Sequence, residues 1–202
     1  MVGAAAPPSP SLIVFGVSVG EPVLAAVRTG AMVALCLAAA IQDVRTRRIG
    51  NAVTLSGLVA GLLLRFPLGV DAVVSGALGA VFGLVVGAGF FALGALGGGD
   101  AKFLAAIGAF FGPVNLAGAL LVIGALGGIY AFVRMVRRGI LLPALQSTGR
   151  MVRYLLSFGR VGELRTIEDP GAETLPYGIA IASGAMAWWF WGARFTSWLG
   201  GG

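Results

Sequence analysis

Long stretches of the chain carry no charge, and the charged residues fall between them. Ala52–Leu64 and Ala72–Leu96 are two such runs, and the pattern predicts helices at Pro22–Gln42, Asn51–Leu64, Ala72–Leu96, Ala101–Phe111, Val114–Val133 and Pro176–Leu199. A helix rises about 1.5 Å per residue and the hydrocarbon core is about 30 Å thick, so about 20 apolar residues make one crossing. The expected fold class is all-α: a polytopic integral membrane protein with six transmembrane helices. Residues 1–21 are expected to form an outward-facing tail, 22–199 the six-helix membrane core, and 134–175 a cytoplasmic polar loop within it. The fourth helix is too short to cross unless it is tilted or buried in protein; with Gly112-Pro113 as a bend instead of a turn, five crossings remain.

Composition agrees with a membrane setting: 58% of the 202 residues are hydrophobic and 11% charged, and the mean hydropathy is +0.96. The chain holds 34 glycines, many spaced small-xxx-small, as in Gly57/Gly61, Gly79/Gly83/Gly87, Gly108/Gly112 and Gly124/Gly128. That spacing suits close helix packing in lipid. With no His and a single Cys, Cys36, in an apolar run, Ser-His, Cys-His and His- or Cys-ligated zinc chemistry is excluded. Cys36 reads as a buried small hydrophobe. No metal or cofactor is expected. The opening residues lack the basic region of a secretory signal and read as an uncleaved tail.

The cations set the orientation. Arg45, Arg47, Arg48, Lys102 and seven arginines from Arg134 to Arg165 fall on one side of a six-helix arrangement, which is the cytoplasmic side by the positive-inside rule. Both termini then face outward. Arg28, Arg65 and Arg194 lie near helix ends, where long side chains snorkel. The net charge of +6 is dispersed over membrane-proximal loops without a nucleic-acid motif, so the expected partner is the bilayer and not nucleic acid.

Eight carboxylates remain. Glu21 and Asp71 sit at outer helix ends, and Glu163, Glu168, Asp169 and Glu173 lie in the polar loop. Asp43 and Asp100 differ, because each abuts an apolar run on the cytoplasmic side, one ending the first helix and one opening the fourth. Two carboxylates at a partly dry depth share a proton, so one works as base while the other works as acid on a peptide carbonyl. The glycines of LGGGDAK, Gly97–Gly99, would let a substrate backbone approach and the chain turn into the helix. An Asp at a helix mouth is also an ordinary cap, so the pair argues more strongly than either residue alone. A proton-coupled transporter would also prize membrane acids, though nearer the midplane, and a non-catalytic assembly subunit would need neither acid.

Three stretches in order, DVRTRRIGN at Asp43–Asn51, GGGDAK at Gly97–Lys102 and LPYGIAIASG at Leu175–Gly184, resemble the type IV prepilin peptidases, GxGD-type intramembrane aspartic proteases, in the small form tied to tight-adherence (Flp) pili. Presenilin-like proteases share GxGD, but their first aspartate follows Tyr, whereas Gln42 precedes Asp43 here. The resemblance implies Asp43 and Asp100 as the catalytic pair, and Gly97, Gly98, Gly99 and Lys102 as motif residues shaping the second aspartate's loop. It implies a prepilin substrate with a short basic leader, a Gly before the cut and an apolar helix after it, cut on the cytoplasmic side of a bacterial inner membrane. It names no substrate-binding residues and no oligomeric state. Larger relatives carry a cysteine-bearing segment linked to methyl transfer; this chain lacks those cysteines, and methyl transfer is not expected. One departure is Gly50, where the family usually has Pro, and a looser entry into the second helix is the expected result.

Overall fold

The computed structural model describes residues 12–14, 17–137, 139 and 177–200. The helices follow a short antiparallel pair, β1 (Leu12–Val14) and β2 (Val17–Val19), with Leu12 opposite Val19. Apart from this small hairpin, which the hydropathy pattern did not foretell, everything regular among the described residues is helix, as expected of an all-α chain. The polar loop expected over 134–175 lies almost wholly outside the described residues.

Helix α1 (Glu21–Thr46) starts with Pro22 in its first turn, where the missing N–H costs nothing. It runs one turn beyond the expected Gln42, so Asp43 lies inside the helix instead of ending it. Helix α2 (Asn51–Leu63) follows, then a 3₁₀ turn (Phe66–Leu68) and α3 (Val70–Ala92). The apolar pattern runs on to Leu96, but α3 stops earlier. Gly94 adopts φ 69°, and the Gly94 and Ala95 N–H groups donate back to the Phe91 and Phe90 carbonyls, each at 2.8 Å. That is a Schellman ending, which needs the left-handed residue glycine supplies.

Helix α4 (Gly98–Arg137) is one run of helix broken at Gly112, which has φ 74° and ψ 172°. Pro113 follows and offers no N–H. Were α4 straight, Asp100 and Gly127 would be roughly 40 Å apart at about 1.5 Å per residue. Instead both lie beside Tyr177: a Cβ on Gly127 would sit 3.9 Å from the Tyr177 ring, and Asp100 is within electrostatic reach of the same side chain. The chain therefore folds back at Gly112, giving two arms where the sequence pattern places two helices. Helix α5 (Tyr177–Gly200) packs on the second arm, with Gly184 against Ile123 and Gly118 against Trp188.

Small residues bring the backbones together. Gly79 faces Gly108, Gly83 faces Leu104, and a Cβ on Gly87 would fall 2.6 Å from the Ala101 Cα, so α3 lies antiparallel along the first arm of α4. Met32, Leu35, Phe103, Ile107, Phe110 and Ile181 fill the core between α1, α2, α4 and α5, and Cys36 is buried there at 2% exposure. Among the described residues four helices are long and apolar enough to cross a membrane: α1, α2 with its 3₁₀ extension, α3 and α4.

Arg65 does not snorkel. It is 7% exposed, and its Nη1 and Nη2 donate to the Ala72 and Phe110 carbonyls, both at 2.8 Å. The break at Gly112 leaves the last carbonyls of the first arm without their usual helical donors, and a guanidinium fork supplies one. Arg28 is half-buried, its guanidinium 5.9 Å from the Trp189 ring centroid. The Arg194 side chain lies outside the described ones.

Candidate active site

Asp43 is 4% exposed and is placed by the ending of α1. Arg47 takes the left-handed conformation at φ 52°, and its N–H donates to the Asp43 carbonyl at 2.8 Å. The Thr46 hydroxyl lies 2.8 Å from the Gln42 carbonyl and 2.9 Å from that of Arg48, so it fastens both sides of the turn. Gly50 N–H donates to Gln42 Oε1 at 2.9 Å. The entry into α2 is therefore held and not loosened: Gly50 has φ −71° and ψ 148°, the backbone a proline would adopt, and a side-chain bond that proline could not make secures it.

Asp100 is the third residue of α4, not its cap. Its Oδ2 accepts the Gly97 N–H at 3.1 Å, the reach-back bond of a capping box. Of the motif glycines, Gly99 has the strictest surroundings. A Cβ there would meet the Ile49 carbonyl oxygen at 2.8 Å and the Ile49 nitrogen at 3.1 Å, while one on Gly98 would meet only a Phe91 ring carbon at 3.8 Å. The close approach at Gly99 is thus to the chain's own α1–α2 turn and not to a substrate, and the turning glycine is Gly94. Lys102, further along the first turn, donates from Nζ to Asn51 Oδ1 at 2.7 Å. Gly99 and Lys102 together seat the start of α4 on the turn that follows Asp43.

The third contributor is the start of α5. Gly178 N–H donates to Asp43 Oδ2 at 2.7 Å, and the neighbouring Ile179 N–H adds to the favourable field at this carboxylate. First-turn N–H groups have no helical partner of their own and favour an acid in front of them. Asp43 and Asp100 lie within electrostatic reach of each other, with Tyr177 beside Asp100 and Arg47 near Asp43. Each acid therefore has one oxygen anchored by backbone at the start of a helix. Among the described residues no three His, Cys, Asp or Glu side chains gather as metal ligands would.

Sequence reasoning brings out Asp43, Asp100, Gly97, Gly98, Gly99 and Lys102, and all six lie at this junction. It gives no role to Gly178, Tyr177, Ile49 or Gln42. The signal present in the sequence is the pairing of a glycine with the opening of the last apolar run, which marks a helix start where something packs closely.

The model of the type IV leader peptidase family matches residues 30–132. That span takes in Asp43, the turn with Ile49 and Asn51, all of α2 and α3, Asp100 and most of both arms of α4; Gly178 lies beyond it. No curated protein and no solved structure matches the chain. With half of its length in that match, the chain belongs to the type IV leader peptidase family.

Proposed function

We propose that the protein is a prepilin leader peptidase that cuts the short basic leader from a pilin-like precursor at the cytoplasmic face of the inner membrane, with Asp43 and Asp100 as its acid–base pair. The observation that carries this is a pair of carboxylates within electrostatic reach of each other, each fixed through one oxygen by a helix-start N–H. The pair holds one proton. The ionised member takes a proton from a water, whose oxygen attacks the peptide carbonyl carbon, while the protonated member donates to the carbonyl oxygen. Collapse breaks the C–N bond, and a proton passes to the departing amine, leaving a leader carboxylate and a free amino terminus.

In the same proposal the two arms of α4 and α5 each cross, which makes six crossings and puts Asp43, Asp100 and Gly178 level with Arg45–Arg48 on the cytoplasmic side. Reporter tags before Val2 and after Gly202 are expected outside, and tags between Gln146 and Arg160 inside. A cytoplasmic tag after Gly202 with an outside tag before Val2 would mean five crossings.

The function is tested with purified protein in detergent and a synthetic precursor, with neither metal nor cofactor supplied. Cleavage should survive chelators, serine-protease inhibitors and thiol reagents, since the chain has no His and Cys36 is buried. The rate should fall on both sides of a pH optimum, because one acid must be ionised and its partner protonated, and the two limbs belong to the pair. Reversible loss on chelation, or proton movement without cutting, overturns the proposal.

Lys102 acts in this reading as a positioning residue. Lys102→Met should lower kcat by about tenfold with little change in KM, as expected of slight misplacement of a reacting group. Removing Asn51 Oδ1 as well, in Lys102→Met/Asn51→Ala, should cost little more than the single change. Additive losses in cleavage rate would mean the two residues act separately.

A further inference from the structure

Tyr177 is the first residue of α5, and the next residue, Gly178, gives its N–H to Asp43. The Tyr177 side chain lines an apolar groove of about 360 Å³ together with Leu96, and the residue after Leu96, Gly97, gives its N–H to Asp100. Tyr177 thus stands beside both helix starts that hold the acids. Its ring is supported from the second arm of α4, where a Cβ on Gly127 would lie 3.9 Å away.

The hydroxyl has no such support. Every other side chain lining the groove is apolar, and among the described residues the hydroxyl makes no hydrogen bond. It is not sealed in either, because the side-chain polar atoms that are both sealed and unpartnered are Nε of Arg28 and Nε of Arg65. A half-buried phenol ordinarily finds a partner for its O–H, so this one is set for a group that does not belong to the chain. Asp100 is in a similar condition on one side. Its Oδ2 accepts the Gly97 N–H, whereas Oδ1 has no partner and is not sealed. Tyr177 lies within electrostatic reach of Asp100, yet no hydrogen bond joins them, and an oxygen accepting from both would bridge the pair.

Peptide hydrolysis creates such an oxygen. Charge builds on the carbonyl oxygen as water attacks, and donors placed in advance are worth most at that moment. The N–H groups of Gly97 and Gly178 are each spent on a carboxylate, and Arg47 is exposed to water. We propose that Tyr177 is a third catalytic residue, whose hydroxyl donates to the carbonyl oxygen of the bond being cut, alongside the protonated acid. This rests on the leader-peptidase reading for the reaction. The proton that reaches the carbonyl oxygen comes from the acid pair; the tyrosine keeps its own throughout and only shares it as a hydrogen bond.

Purified full-length protein and a synthetic precursor test the assignment, with variants compared at equal amounts of enzyme that elutes normally on gel filtration. Tyr177→Phe keeps the ring and loses only the oxygen. It should lower kcat by about thirtyfold, less than the hundredfold or more that a sole oxyanion donor is worth, because the acid shares the load. KM and the pH optimum should not move. A precursor analogue with a CH(OH) group in place of the scissile carbonyl imitates the tetrahedral oxygen, and Tyr177→Phe should bind it about thirtyfold more weakly than wild type does. Tyr177→Leu should be no faster than Tyr177→Phe. A normal kcat in Tyr177→Phe beside a slow Tyr177→Leu would make the ring a packing element and overturn the proposal. So would a loss confined to KM, or a full rate recovered at a displaced pH optimum, which would mean that Tyr177 acts only on Asp100. Wild-type enzyme that leaves the precursor uncut would end the leader-peptidase reading and this role with it, whereas active wild type beside an unimpaired Tyr177→Phe would end this role alone.

Discussion

Asp43→Asn and Asp100→Asn should each abolish leader cleavage, by about a thousandfold or more, while the protein still inserts and accumulates. A positioned acid or base contributes roughly 10²–10⁴ in rate, and in the proposed mechanism the two acids work as one unit, so losing either should cost nearly as much as losing both. The amide is close in shape to the acid it replaces. At position 43 it keeps an oxygen to accept the Gly178 N–H, and at position 100 it keeps one for the Gly97 N–H, so the helix starts remain anchored. The comparison is Asp71→Asn, at an exposed residue in the first turn of α3, which should process at the normal rate. Precursor and mature product are separated by mobility after a timed reaction with equal amounts of enzyme. Near-normal processing by either mutant contradicts a shared acid–base role.

Gly178→Ala is expected to be the most damaging change outside the acids themselves. A methyl there would stand 2.7 Å from Asp43 Oδ2 and 3.0 Å from its Cβ and Cγ. The carboxylate must turn away, or α5 must retreat and give up the 2.7 Å bond. Displacing a reacting group by about 1 Å costs on the order of a hundredfold in rate, and that is the expected fall in kcat. Gly98→Ala provides the contrast, because its nearest neighbour, a Phe91 ring carbon, is at an ordinary 3.8 Å. Measuring kcat and KM separately decides the point: a loss confined to KM would mean that Gly178 meets the substrate and does not position Asp43.

The charge-free runs make the helices legible, because lipid imposes the same requirement on every crossing. Their ends are less legible, because ends depend on particular bonds. Asp43 falls inside α1 since Thr46 and Arg47 carry the helix to its turn, and the apolar run to Leu96 hides the stop that Gly94 imposes. Arg65 departs from expectation for a related reason: a cation near a helix end ordinarily reaches for water, but here the fold-back at Gly112 creates carbonyls that attract it first. The two acids stand out because charge is rare in such a chain. Gly178 does not, since its role is a contact 135 residues distant in sequence, and hydropathy carries no record of which helix start meets which side chain.

The same contact ties the site to the order of synthesis. Gly178 is translated 135 residues after Asp43, which at about 5–20 residues per second is a delay of roughly 7–27 s. Late in that interval, once the chain has passed Arg137, α1 through α4 can already be in the membrane, with both acids present but the donor for Asp43 still unmade. A nascent chain therefore carries an unfinished centre, and competence arrives only when the start of α5 docks. Any truncation ahead of Tyr177 would leave the protein permanently in that immature condition, with the acids inserted and Asp43 unanchored.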